Sequence, residues 1–309
     1  EEALKSYDKA IEIEPNFADA WYNRGGTLEQ LGRYEEALKS YDKAIEIEPN
    51  FADVWNDRGV LLGQLGRYDD ALKSFNKAIE IEPKHGTAWY NHGVAFEKLR
   101  RYEEALKSYE KALEIAPKHV KTWYNHGIML SQLGRYEEAL KSYDKAIEIE
   151  PNFADAWYNR GFTLGKLGRY EEALESYDKV LEIDPKDVAA WYNRGLALGE
   201  LGRYEDELKS YDKAIEIKPN FVAAWYNRGF TLEALGRYEE ALKSYEKALE
   251  IDPKHVKSWN NRGLVLEKMG RLEEALKSYE KALEINPKFD DAIKARESLL
   301  RRLQDRDRK

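Results

Sequence analysis

The chain has 309 residues, 42% of them hydrophobic and 12% aromatic, with 50 Lys+Arg against 58 Asp+Glu and a net charge of −8. That apolar content excludes a disordered chain, the acidic balance supplies no basic field for nucleic acid, and no apolar run approaches the ~18 residues of a membrane span. The absence of cysteine excludes a disulfide framework, a thiolate metal site and a Cys nucleophile. It also permits a reducing compartment, and a cytoplasmic location is expected. Length alone would suggest two globular domains. Against that, all eight Trp, from Trp21 to Trp259, and all nine Pro, from Pro15 to Pro287, recur at a constant step of 34. Such a period marks a solenoid.

In chain order, residues 1–17 read as the second helix of an incomplete repeat, with Leu4, Tyr7 and Ile11 on its apolar stripe. No first helix precedes it. The chain is therefore expected to be a piece of a longer array, with end-to-end self-association through the exposed N-terminal helix as a further expectation. Complete units follow at 18–51, 52–85, 86–119, 120–153, 154–187, 188–221, 222–255 and 256–289.

Numbering the unit 18–51 from 1 to 34, positions 4, 7, 8, 11 and 14 (Trp21, Arg24, Gly25, Leu28, Leu31) share one helical face. Gly32 closes that helix in the left-handed region. Glu35 and Glu36 open a second helix at its positive dipole end, Ala37, Leu38, Tyr41, Ala44 and Ile45 form its stripe, and Pro49 stops it. Two helices joined so briefly pack antiparallel, with Gly25 and Ala37 allowing close approach and Trp21 filling the space beside them. One pair cannot bury its stripe alone, so neighbours stack. Residues 290–309 read as a capping helix and polar tail, with Ile293, Leu300 and Leu303 inward and Arg301 and Arg302 outward. Residues 5–25 and 141–161 are identical, which fits either duplication or consensus design.

The pattern Trp21, Gly25, Tyr34, Ala37, Tyr41, Ala44, Pro49, met in eight successive copies, resembles the tetratricopeptide repeat. The resemblance implies an all-α, right-handed superhelical solenoid of antiparallel helix pairs, with first helices lining the concave side. It implies partner binding rather than a particular chemistry. Three departures stand out. Position 7, aliphatic in the family, holds Arg24, Arg58, Arg160, Arg194, Arg228 and Arg262, with His92 and His126 in two copies. Each Arg is expected to reach an acidic side chain or helix carbonyls at a helix seam, because a buried unpaired guanidinium is untenable. Arg100 replaces the terminating Gly, at a cost in strain. Glu207 replaces the small Ala of the second helix and is expected to bend outward or pair with Arg203. The family's carboxylate clamp needs Lys at position 5 and Asn at position 9. Those places hold Tyr and apolar residues, which disfavours it.

Candidate binding residues lie opposite the packing stripe. Position 5 is Tyr22, Tyr90, Tyr124, Tyr158, Tyr192 and Tyr226, and position 6 is Asn23, Asn91, Asn125, Asn159, Asn193, Asn227 and Asn261, with Asp57 in the second unit. Position 9 is Val60, Val94, Ile128, Phe162, Leu196, Phe230 and Leu264. Asn carries donor and acceptor together, so a ladder of them suits the peptide groups of an extended segment, with Tyr and the apolar residues giving contact area. The competing reading is that Tyr and Asn brace neighbouring first helices.

No Gly-rich phosphate loop or Ser–His–Asp set appears, and the paired Glu at each helix start serve the dipole rather than acid–base chemistry. The five His have no Cys or framed carboxylates around them, so no metal and no cofactor are expected. The function expected is a non-catalytic protein- or peptide-binding scaffold, with no nucleic acid and no membrane insertion. The alternative is a regulatory or substrate-recruiting region of a larger enzyme truncated before Glu1.

Overall fold

The computed structural model describes residues 1–307, and every regular element among them is an α-helix. First helices are α2 (Ala18–Gln30), α4 (Ala52–Gln64), α6 (Gly86–Lys98), α8 (Val120–Gln132), α10 (Ala154–Lys166), α12 (Val188–Glu200), α14 (Val222–Ala234) and α16 (Val256–Lys268). Second helices are α1 (Glu2–Ile13), α3 (Tyr34–Ile47), α5 (Tyr68–Ile81), α7 (Tyr102–Ile115), α9 (Tyr136–Ile149), α11 (Tyr170–Ile183), α13 (Tyr204–Ile217), α15 (Tyr238–Ile251) and α17 (Leu272–Ile285), and α18 (Asp290–Asp307) ends the described chain. Residues 1–156 form one compact unit and the residues from Trp157 onward a second. Within each, antiparallel pairs stack on their neighbours.

The turn inside each pair follows from backbone chemistry. Gly32 and its equivalents take φ between 69° and 77°, where a side chain is disfavoured. Arg100 takes the same turn at φ 58°, alone among non-glycine residues described. Arg100→Gly is therefore expected to raise stability by about 1 kcal/mol, read as a higher urea midpoint. An unchanged midpoint would show that the turn stores no strain. Each second helix after α1 is then anchored at its start, as where Arg33 donates to both carboxylate oxygens of Glu36 at 2.7 and 2.6 Å. The first-turn acids thus act through a specific ion pair as well as the dipole.

The core differs from the expected stripe. Tyr41, rather than Trp21, fills the space beside the small residue: a Cβ on Gly25 would stand 2.5 Å from the Tyr41 ring. The same approach recurs at Gly59 with Phe75, Gly127 with Tyr143 and Gly263 with Tyr279. Trp21 is half-buried and donates its indole N–H to the Pro15 carbonyl at 2.9 Å, tying the helix to the loop before it. On first helices burial also takes in positions 3 and 10, among them Ala20, Val54, Leu61 and Met129. A first helix touches three neighbours, so its buried arc is wider than one pair requires. In α18 the buried residues are Ala292 and Leu299, with Leu303 packed against the same cluster. The inward face there is one residue out of register with the expected Leu300.

Candidate functional site

The position-7 arginines lie at the seam between a second helix and the next pair. Arg24 donates to Asp8 at 2.7 Å and to the Ser40 hydroxyl at 2.6 Å, and Ser40 donates onward to the Glu36 carbonyl at 3.0 Å. Its guanidinium also lies over the Trp21 ring, 5.7 Å from the centroid. Arg58 with Asp42, Arg194 with Asp178 and Arg228 with Asp212 repeat this pin, and Arg262 uses Glu246. Arg160 donates to Ser176 at 2.6 Å. Where Asn76 replaces the upstream acid, position 7 is His92, whose Nδ1 lies 2.9 Å from Ser108 Oγ. His126 meets Ser142 in the same way. The expected pairing is therefore present, and the donors that an anionic ligand would need are engaged.

The Tyr and Asn positions come together across successive first helices. Asn125 donates to the Tyr90 hydroxyl at 3.3 Å, Asn193 to Tyr158 at 2.9 Å, Asn227 to Tyr192 at 2.9 Å and Asn261 to Tyr226 at 3.3 Å. In the second pair the roles change: Tyr22 donates to Asp57 at 2.7 Å, and Asn91 donates to Asn56 at 3.0 Å. Asn23, on α2, is exposed and donates to the Asp19 carbonyl. Tyr124 packs on Tyr143 and Phe153, and Asn159 is half-buried at the matching place on α10. Burial pushes the hydroxyls of Tyr90, Tyr158, Tyr192 and Tyr226 upward, so they stay protonated. These amide contacts brace one first helix on the next.

Position 9 lies beside this ladder. In the first unit Val60, Val94 and Ile128 are half-buried. In the second, Phe162, Leu196 and Phe230 are 45%, 39% and 58% exposed, with Leu264 half-buried. Beneath them open clefts of about 310 Å³, between Phe162, Tyr170, Tyr177 and Leu196, and about 330 Å³, between Leu196, Tyr204, Tyr211 and Phe230. A third of about 260 Å³ lies by Val60, Tyr68, Phe75 and Val94.

These clefts depend on position 12, which sequence reasoning passed over. In four pairs that residue is a Glu whose carboxylate accepts from the Tyr hydroxyl below it: Glu29 from Tyr41, Glu97 from Tyr109, Glu233 from Tyr245 and Glu267 from Tyr279. At the three clefts it is Gly63, Gly165 or Gly199. Glycine inside an exposed helix costs about 1 kcal/mol against Ala, and that cost was the available signal.

Glu207 departs from its expectation. It does not pair with Arg203, which donates instead to Asp206 at 2.9 Å. Its side chain turns inward to 7% exposure, against Gly199. Burial holds its carboxyl above the ordinary range.

Among the described residues no cluster of three or more His, Cys, Asp and Glu is placed to hold a metal, and no helix is long and apolar enough to cross a membrane.

Comparison with known proteins agrees with this architecture. Models described as tetratricopeptide repeat match residues 18–51, 56–120, 108–141, 154–187, 176–209 and 221–288, and one described as TPR repeat matches 1–32, 127–168 and 200–236. An uncharacterized protein of Methanocaldococcus jannaschii is 51% identical over 35 residues, 11% of this chain and 41% of that protein, so the chain spans under half of that curated relative. The solved structure of YrrB, a TPR protein with an unusual peptide-binding site, is similar at 30% identity, TM-score 0.56, covering 61% of this chain and 97% of that one. The C-terminal part of a TPR repeat-containing protein from Cytophaga hutchinsonii matches at 19% identity and TM-score 0.68, covering 77% and 97%, which is likeness of fold alone.

Proposed function

This chain belongs to the tetratricopeptide repeat family, and from that premise we propose that it is a non-catalytic scaffold gripping an extended peptide or protein segment along its first-helix face. The observation that carries the reading is the row of exposed Phe162, Leu196 and Phe230 above adjoining clefts. A row of large apolar side chains held out to solvent on a rigid scaffold costs solubility and contributes nothing to stacking, which is the signature of a contact surface. The Tyr–Asn ladder then serves as a stiff wall. Its asparagines keep a carbonyl for a partner's N–H where the amide hydrogens brace the next helix. The described peptide-binding site of YrrB supports the same class of partner. We place the scaffold in the cytoplasm, in keeping with its lack of cysteine.

The test is selection of phage-displayed random dodecapeptides on the whole chain, followed by affinity measurement on Phe162→Ala/Phe230→Ala. The chain should enrich discrete peptides, and the double substitution should weaken them at least tenfold, about 1.4 kcal/mol, with an unchanged thermal midpoint. Enriched peptides that bind the substituted chain equally well would move the contact surface elsewhere.

A further inference from the structure

The cleft between α12, α13 and α14 differs in chemistry from its neighbours. It is lined by Tyr204, Glu207, Tyr211, Phe230 and Thr231, with Glu200 at its edge. Tyr211 is 0% exposed, and its hydroxyl has no hydrogen-bond partner. Four equivalent tyrosines donate to a position-12 Glu. Gly199 removes that acceptor here, and the Glu207 carboxyl occupies the room so made, where a Cβ on Gly199 would lie 2.8 Å from Oε1. The charge is moved rather than lost. It now sits on the floor of an open cleft, beside an orphaned hydroxyl.

Among the described residues no cation pairs with it. Arg203 and Lys209 both pair with Asp206, at 2.9 and 3.0 Å, and Lys218 lies over the Phe221 ring. Two carboxylates, an unpartnered hydroxyl and two aromatic rings thus face a cleft of about 330 Å³ without a positive charge.

We infer that this cleft receives a basic side chain, the lysine or arginine of a bound peptide segment. The inference rests on the scaffold reading above. An entering ammonium or guanidinium would donate to the Glu207 carboxylate, which has only the neutral Thr231 and Tyr211 hydroxyls about it, and to the Tyr211 oxygen. Its aliphatic stem would lie along Phe230 and Tyr204, where the ring faces attract the cation. Glu200, exposed at the rim, adds long-range attraction. The adjoining cleft shares Leu196 and Glu200 with this one, is walled by Phe162, Tyr170 and Tyr177, and already holds a cation, Lys166 over the Phe162 ring, so it suits an apolar side chain rather than a second basic one. A segment crossing both reads as an apolar residue beside a basic one.

The test repeats the dodecapeptide selection on the whole chain, on Glu207→Ala and on Glu207→Gln. Ala is the residue the other second helices carry at this place, and Gln keeps shape and hydrogen bonding while removing charge. Peptides from the unaltered chain should carry Lys or Arg next to an apolar residue far above library frequency. They should bind both substituted chains at least tenfold more weakly, and selections on those chains should still yield apolar residues without the basic one. Enriched peptides lacking the basic residue would overturn the cation cleft while leaving the scaffold reading standing. Basic enrichment that survives both substitutions would show that the charge is read elsewhere. No enrichment on any chain would remove the scaffold reading and this inference together.

Discussion

Acidification from pH 7 to pH 4 is expected to destabilise the unit formed by residues 1–156 by several kcal/mol, through two imidazoles. His92 and His126 are pushed from 6.5 down to about 4, first by burial and then by Arg101 and Arg135 respectively. Glu104 and Glu138 oppose this only in part. At His92 the geometry agrees with a neutral ring. Ser108 donates its hydroxyl to the Glu104 carbonyl, so it accepts from Nδ1–H, and the buried Nε2 faces no partner. A proton added there would be a buried, unpaired charge.

A histidine whose folded pKa is depressed keeps its full contribution above its unfolded pKa and loses it as pH falls through the folded value. The window is therefore 6.5 down to about 4. At about 1.36 kcal/mol per unit of pKa, each ring is worth on the order of 3 kcal/mol across it. Asn76→Asp with His92→Arg rebuilds the pin seen at Arg58 and Asp42. Urea titrations across the window should show the doubly substituted chain losing on the order of 3 kcal/mol less than the unaltered one. Parallel curves would mean that His92 titrates normally.

That pin shows what the sequence could reveal. A guanidinium at position 7 has to be paired, and Asp or Glu recurs one helix upstream, so the pairing was readable. The exchange of Asp42/Arg58 for Asn76/His92 records it again inside one chain. The helix ends were equally readable, because Gly32 and Pro49 act locally. What could not be read were distances between repeats. Periodicity places Tyr90 and Asn125 on the same kind of face, yet says nothing of whether the amide reaches the hydroxyl. That depends on how closely first helices of successive pairs approach. Trp21 and Tyr41 were confused for a related reason. A wheel drawn for one pair does not show which aromatic faces its partner helix and which faces the preceding loop. Glu207 misled because a carboxylate usually avoids burial, and the space that admitted it was made by Gly199 on another helix.

Glu207→Ala is expected to stabilise the second unit by about 1–3 kcal/mol at neutral pH, the scale of the penalty for a polar group whose desolvation is not repaid, here a carboxylate buried without a counter-charge. Glu207 is 7% exposed, with no ion pair, and burial raises its pKa before any other cause; hydrogen bonding from Thr231 and Tyr211 opposes this in part, and Glu200 adds repulsion. A carboxyl with a raised folded pKa binds its proton more readily in the folded chain than in the unfolded one. Its penalty is therefore absent below the ordinary carboxylate range and grows as pH rises through the raised value. The gain from Glu207→Ala should shrink on acidification, opposite in sign to the change at His92. Thermal midpoints of both chains from neutral to acid pH would show it. A gap that does not vary with pH would mean that water in the cleft already solvates the charge. The scaffold thus keeps a group that works against its own folding, at the floor of a cleft, in the one second helix where Ala is absent from that place. Stability given up locally in this way is what a binding group imposes when its partner is missing. A basic peptide should accordingly raise the midpoint of the unaltered chain and leave that of Glu207→Ala nearly where it was, because only a ligand that favours the folded state shifts it.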